Sequence, residues 1–290
     1  MSKFFDETRK AQDRSLDQAK AKSADIQRVL ESVKASGPAT EVANYRLESS
    51  RKVRLARTAE MPLISVNGDG PNPYTQAALE SYRALRTRLL RQQTTSGLRS
   101  VVISSTLAGE GKTITTMNLA LSCSHLHDMR VLLVDADLRT RGLTRLQKSA
   151  PGGPALSEVL AGQAKFEDAV MATDLPNLFM VAAGAAPAST PELFTGSRWK
   201  EFMGWCSESF NLILVDSPPI IALADFELIS NACDGILVVV RARSTRREAL
   251  RKAAGQIDTK KLVGVIFNGM EGSTSGYYYY YAAPSYQEAK

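Results

Sequence analysis

The chain has 290 residues, of which 44% are hydrophobic and 23% charged, and its formal net charge is +6. A chain this long has room for one core of about 200 residues with extensions. No apolar run approaches the roughly 18 residues of a membrane span, and the opening MSKFFDETRKAQ is too polar for a secretory signal, so a cytoplasmic protein is expected. The positive balance comes with no recognised nucleic-acid-binding motif, so no nucleic-acid partner is expected. Cys123, Cys206 and Cys233 are widely spaced in apolar surroundings and read as core thiols. His125 and His127 lack Cys or acidic neighbours at metal-ligand spacing.

Residues 1–60 read as a charged helical extension, with Leu16, Ala19, Ile26, Val29, Leu30 and Val33 at loosely helical spacing. Ser36-Gly37-Pro38 interrupts it, and a second basic stretch carries Arg46, Arg51, Lys52, Arg54 and Arg57. Too few large apolar residues occur here for a separate core. The segment is either a solubilising tail or a docking arm, the latter suggested by Phe4 and Phe5. Residues 61–78 have linker composition, with Pro62, Gly68, Gly70, Pro71 and Pro73. A helix is expected over Gln76–Gln92. On it Glu80 and Arg83 are placed to pair along one face, and Arg83 and Arg86 to reach a neighbouring subunit.

From residue 79 to 270 the chain reads as one α/β domain. Strands are expected at Val101–Ser105, Val131–Asp135, Leu178–Ala182, Leu212–Asp216, Gly235–Arg241 and Leu262–Asn268. Helices are expected at Thr113–His127, Leu156–Ala161, Phe166–Ala172, Ser197–Ser209, Phe226–Asn231 and Arg246–Ile257. Continuous apolar strands alternating with helices indicate a mostly parallel sheet covered on both faces, a P-loop NTPase-like arrangement. Ligands of such sheets sit at the carboxyl ends of the strands.

The stretch that carries the chemistry is Ser104 to Ala120. An apolar strand runs into Ala108-Gly109-Glu110-Gly111-Lys112-Thr113-Ile114 and then a helix, the context of a phosphate-binding loop. Glycines let backbone N–H groups approach phosphate oxygens, and the helix N-terminus favours negative charge. Lys112 supplies a point charge for the β and γ phosphates, and Thr113 a hydroxyl for Mg²⁺. The full Walker A pattern begins with Gly where this chain has Thr106.

Two strands end alike, one in Asp135-Ala136-Asp137-Leu138-Arg139 and the other in Asp216-Ser217-Pro218-Pro219. Strand-end aspartates commonly cap helices. Beside a phosphate loop they are also where Mg²⁺ is held, commonly through water, and Asp216 is the Walker B candidate. The further pair Asp135 and Asp137 exceeds what one metal needs and is suited to orient or deprotonate an incoming hydroxyl. Residues 271–290 form a tail in which Gly272 to Gly276 precede Tyr277, Tyr278, Tyr279, Tyr280 and Tyr281, with Tyr286 beyond. Such a tract is either a sticky low-complexity tail or a set of phenol nucleophiles on a flexible leash.

These motifs together resemble the bacterial tyrosine kinases of capsule and exopolysaccharide export, the BY-kinase or CpsD/CapB-type family, over roughly Leu79 to Tyr286. Thr106 in place of glycine is usual there. The resemblance implies Mg²⁺-dependent phosphoryl transfer from ATP to tyrosine. Lys112 would bind the phosphates, Thr113, Asp137 and Asp216 the metal, and Asn268 the adenine, with Asp135 as base. It also implies a ring joined through Glu80, Arg83 and Arg86, each tail entering the neighbour's site. The implied partners are a membrane-embedded chain-length determinant that recruits and activates the kinase at the inner face of the membrane, and a tyrosine phosphatase.

Two other readings compete. ParA/MinD-type ATPases carry a signature lysine five residues before the Walker A lysine, where this chain has Leu107. A non-catalytic, nucleotide-stabilised scaffold would not need Lys112, Asp135, Asp137 and Asp216 all present.

Overall fold

The computed structural model describes residues 51–53, 73–147, 152–185, 189–221 and 224–270. The rest of the expected extension and linker, with Phe4 and Phe5, and the tail with Tyr277–Tyr281 and Tyr286 lie outside the described residues.

Eight strands make one sheet: β1 (Arg51–Val53), β2 (Ser100–Ser105), β3 (Val131–Asp135), β4 (Met171–Thr173), β5 (Leu178–Val181), β6 (Leu212–Asp216), β7 (Gly235–Arg241) and β8 (Leu262–Asn268). Their order is β1-β4-β5-β3-β6-β2-β7-β8. Among the described residues every pairing is parallel except β4 with β5. Parallel neighbours need long crossovers, and helices supply most of them. These are α1 (Pro73–Ser96), α2 (Lys112–Ser124), α3 (Leu156–Leu160), α4 (Phe166–Ala169), α5 (Thr190–Thr195), α6 (Ser197–Ser209), α7 (Asp225–Asn231) and α8 (Arg247–Ala254).

The period-2 alternation of the central strands divides their side chains between two cores. On β3, Leu132 and Val134 join Trp199, Phe202 and Phe210 on one face, while Val131 and Leu133 join Leu89, Met117 and Met129 on the other. Central strands are therefore near-continuous apolar runs, because neither face meets water, with polar residues kept to their ends. In the first core the Trp199 ring stacks on Phe202 at 5.9 Å and meets Phe194 edge-on at 5.3 Å. The polar end of Trp199 is satisfied too, since Nε1 donates to the Ile229 carbonyl at 3.1 Å. Each of these rings contributes about 1.5–3 kcal/mol by burial.

The central strands lie where the sequence places them, but the far edge differs. Arg51–Val53, expected within a helical extension, is a strand paired with Met171–Thr173. Those partners fall partly inside the helix expected over Phe166–Ala172, which stops at Ala169. One helical turn is weakly cooperative, so ladder pairing of β4 with both β1 and β5 overrides it. α1 begins at Pro73, inside the expected linker. Proline suits the first turn of a helix, where a missing N–H costs nothing. α5 has no counterpart among the expected helices, and it too carries a proline in its first turn, Pro191.

Chain order and sheet order place the site. From β2 the chain crosses to β3 and β5 on one side and later to β7 and β8 on the other. The crevice at the carboxyl end of β2 is thus a topological switch point, where open α/β sheets bind ligands.

Candidate active site

The loop after β2 ends in Gly111, whose φ of 94° only glycine adopts readily, and Lys112 opens α2. Lys112 is buried. Its Nζ donates to Asp137 Oδ2 at 2.9 Å and lies 3.6 Å from Asp216 Oδ2. Thr113 Oγ1 accepts from Lys112 Nζ at 3.3 Å and donates to Asp216 Oδ2 at 2.7 Å. Loop, Walker B aspartate and Walker A′ aspartate therefore share one hydrogen-bonded cluster. Ala108 and Gly109 are exposed on the loop's outer rim, and Ile114 is half-buried in the first turn of α2.

Asp135 and Asp216 are register partners on adjacent strands, so their side chains share one end of the sheet. Asp135 Oδ2 accepts both the N–H and the hydroxyl of Thr144, each at 2.7 Å. Asp137 is pinned in the same manner by Thr140, through N–H to Oδ1 at 3.0 Å and hydroxyl to Oδ2 at 2.6 Å. Thr140 and Thr144 were not singled out in the sequence. The signal for Thr140 is its place three residues after an aspartate, a local Asx-type spacing. Nothing comparable marks Thr144.

The three carboxyls divide in their proton affinity. Burial, then the neighbouring Asp216 charge, push Asp135 up to about 7, against the Thr144 hydrogen bonds. Burial also raises Asp216, to about 6, although Lys112 opposes it. Asp137 is likewise penalised by burial, but the Lys112 charge and the Thr140 bonds outweigh that and hold it below the usual carboxylate range. For Lys112, burial is outweighed by Asp216 and Asp137, so its ammonium is held above the ordinary lysine value. Of the oxygens of these three carboxyls, two are buried without a hydrogen-bond partner, Asp135 Oδ1 and Asp216 Oδ1. Of the two, Asp216 Oδ1 is a hard oxygen on the aspartate that Thr113 contacts, and it fits a Mg²⁺ ion that keeps waters and phosphate oxygens in its shell. Among the described residues no three His, Cys, Asp or Glu side chains form a ready-made metal cage.

Asn268 ends β8 and reaches back over the loop: Nδ2 donates to the Glu110 carbonyl at 3.0 Å, and a Cβ at Gly111 would collide with it. The helix residues stand apart from the cluster. Glu80 and Arg83 pair with each other on α1, half-exposed, while Arg86 Nη1 donates to the Ser122 carbonyl at 2.7 Å, a cation on the C-terminal turn of α2. The cysteines are buried and free as expected, and burial pushes the Cys123 thiol up to about 12. His125 Nδ1 lies 2.6 Å from the Leu121 carbonyl, a local helix-end contact. No helix among the described residues is long and apolar enough to cross a membrane.

A family model described as an AAA domain matches residues 98–261. Tyrosine-protein kinase YwqD of Bacillus subtilis (strain 168) is 32% identical over 204 residues, which are 70% of this chain and 85% of that protein. Tyrosine-protein kinase CpsD of Streptococcus agalactiae serotype III (strain NEM316) is 30% identical over 68% of this chain and 85% of its own length. The solved BceF tyrosine kinase domain covers 82% of this chain and 88% of its own, with a TM-score of 0.62 and 28% identity. The kinase domain of the Escherichia coli tyrosine kinase ETK shares the fold, with a TM-score of 0.64 at 24% identity over 84% of this chain and 98% of its own. Neither the fold alone nor a phosphate loop alone would separate a kinase from a nucleotide hydrolase, but kinship over most of both chains does. The chain belongs to the AAA-domain family and, within it, to the bacterial tyrosine-protein kinases.

Proposed function

We propose that the protein transfers the γ-phosphoryl group of ATP to tyrosines of its own C-terminal cluster, Tyr277–Tyr281 and Tyr286, between subunits of an oligomer. The observation that carries this reading is Asp135: a buried carboxyl raised to about 7, with Oδ1 free of partners, beside the phosphate-loop lysine. A group poised near neutrality is suited to general-base work. Asp135 Oδ1 takes the phenolic proton, the phenolate oxygen bonds to the γ-phosphorus, and the bond from that phosphorus to the bridging oxygen of ADP breaks. Lys112 binds the phosphate oxygens, and Thr144 keeps Asp135 Oδ2 occupied so that Oδ1 faces the acceptor. Thr113, Asp137 and Asp216 would hold Mg²⁺, which supplies charge neutralisation at the phosphates.

In this reading Glu80, Arg83 and Arg86 lie at the subunit contact of a ring, and Asn268 lies near the adenine. A membrane-embedded chain-length determinant activates the kinase and brings it to the inner face of the membrane. A tyrosine phosphatase resets the tail. The process served is polysaccharide polymerisation and export.

Incubation with ATP and Mg²⁺, followed by mass-spectrometric mapping of phosphotyrosine, tests the reading. Wild type should be labelled in the tail and Lys112→Met should not; equal labelling of both would sink it. Mixing Lys112→Met with an active subunit lacking residues 271–290 tests transfer between subunits. An unlabelled Lys112→Met tail would overturn that part alone.

A further inference from the structure

Glu110 is an odd residue for a phosphate loop, because its charge repels what the loop binds. The structure turns it inward, to 4% exposure. Oε2 accepts the Leu107 N–H at 3.1 Å, which closes the loop on itself, and Oε1 accepts the hydroxyl of Thr245. Thr245 stands in the turn after β7. Its Oγ1 already accepts the Arg241 N–H at 3.0 Å, so the hydroxyl proton is left for Glu110. Arg241 contributes a second tie, from Nη1 to the Gly109 carbonyl at 3.2 Å. Asn268 provides the third, onto the Glu110 carbonyl, and the Ala242 N–H joins the ends of β7 and β8 by donating to the Asn268 carbonyl at 2.8 Å.

We infer that Thr245, Arg241 and Asn268 form a brace on the phosphate loop, with Glu110 as its anchor, so that Glu110 and Thr245 are positioning residues for ATP rather than ligands of it. The inference rests on the reading of this loop as the ATP site. The physical reason is preorganisation. Backbone N–H groups bind phosphate strongly only if their directions are set before the ligand arrives. The loop's glycines, Gly109 at φ 81° and Gly111 at φ 94°, cannot set them alone, because glycine is the least restrained residue. External ties from two strand ends supply the restraint. They also place the Glu110 charge on donors on the protein side of the loop.

Calorimetric titration of the full chain with ATP and Mg²⁺ reads this out. Thr245→Val keeps the shape and removes the hydroxyl, and with it both the bond to Glu110 and the acceptor of the Arg241 N–H, and ATP binding should weaken about tenfold, the scale of losing a hydrogen bond to a charged group. Thr245→Ser should bind within about twofold of wild type, because it restores that bond. In kinase assays Thr245→Val should raise KM for ATP more than it lowers kcat. Wild-type affinity in Thr245→Val, or equal losses in the Val and Ser variants, would overturn the brace. Should Thr245→Val fail to fold, Arg241→Gln at an exposed position carries the test. It should weaken ATP binding at least threefold, and wild-type affinity there would overturn the inference. Lys112→Met separates the two layers of argument. If it binds ATP as wild type does, the loop is not the ATP site; if it loses ATP while Thr245→Val keeps it, only the brace is wrong.

Discussion

Lys112 Nζ lies 2.9 Å from Asp137 Oδ2, in a pair whose side chains are only 10% and 1% exposed. The cation assigned to phosphate is thus held by a carboxylate, in a setting where water screens little. Removing one partner of such a pair leaves the other charge stranded. Lys112→Met should therefore lower tyrosine phosphorylation by at least about a hundredfold, the scale of losing a preorganised electrostatic contact. It should also lower unfolding free energy at pH 8 by about 3 kcal/mol. The stability loss should shrink at pH 5, where Asp135 and Asp216 take up protons. Urea unfolding at the two pH values checks this.

The raised carboxyls carry a pH signature of their own. Asp135 at about 7 and Asp216 at about 6 bind protons in the folded chain that an unfolded chain, with carboxyls at 3.8, has released. Their contribution to stability is full below pH 3.8 and is lost as pH rises towards 7, since stability falls wherever the folded state binds more protons. Asp137, lowered, contributes the opposite trend only below the ordinary carboxylate value. In the absence of nucleotide, the stability of wild type relative to Asp135→Asn should fall between pH 4.5 and 8. A pH-independent difference would contradict the burial of an ionisable Asp135. Kinase rate should run the other way, rising towards a plateau as Asp135 deprotonates through about pH 7.

Gly142 packs against the residue that follows the loop lysine. A Cβ there would lie 2.7 Å from Thr113 Oγ1 and 2.9 Å from Thr113 Cγ2. Gly142→Ala should push Thr113 off Asp216 while leaving the distant cores intact. Activity at limiting Mg²⁺ is expected to fall about tenfold and to recover partly at high Mg²⁺, the pattern of a weakened metal ligand. Titrating Mg²⁺ at saturating ATP measures it.

Away from the site, Asp234 fastens the start of β7 to the start of β2. Its Oδ2 accepts from Arg99 N at 2.9 Å and from Ser100 N and Ser100 Oγ at 2.8 Å each. Asp234→Ala should cost about 1–2 kcal/mol, because the donors at this strand end lose a charged acceptor but regain some water. Chemical denaturation should show that loss, with phosphoryl transfer at low temperature little changed.

What could be read from the chain without coordinates was whatever depends on local pattern. The strands Val131–Asp135, Leu212–Asp216 and Gly235–Arg241 were legible to the residue because strands covered on both faces read as near-continuous apolar runs, and the edge strand Leu262–Asn268 was legible by its own apolar run although it is not covered on both faces. Lys112, Thr113, Asp135, Asp137 and Asp216 could be singled out as candidates because each stands at or beyond the end of a strand, and parallel strands bring such ends to one edge. The sheet's far edge was not legible: three-residue strands such as Arg51–Val53 and Met171–Thr173 owe their existence to partners distant in sequence, and their own residues state no preference strong enough to reveal it.

Sequence by itself determined the class of chemistry, since a strand, a glycine loop, a lysine and strand-end aspartates are contiguous signals. Tertiary structure alone decided how the three carboxyls differ. Asp135 and Asp137 are two residues apart and look equivalent in the sequence, yet burial and then the Asp216 charge across the ladder raise one, while the Lys112 charge overcomes burial and lowers the other. Proton affinity follows the nearest charge and the loss of water, and both are set by residues about 25 to 80 positions away, through contacts that exist only once the sheet has formed.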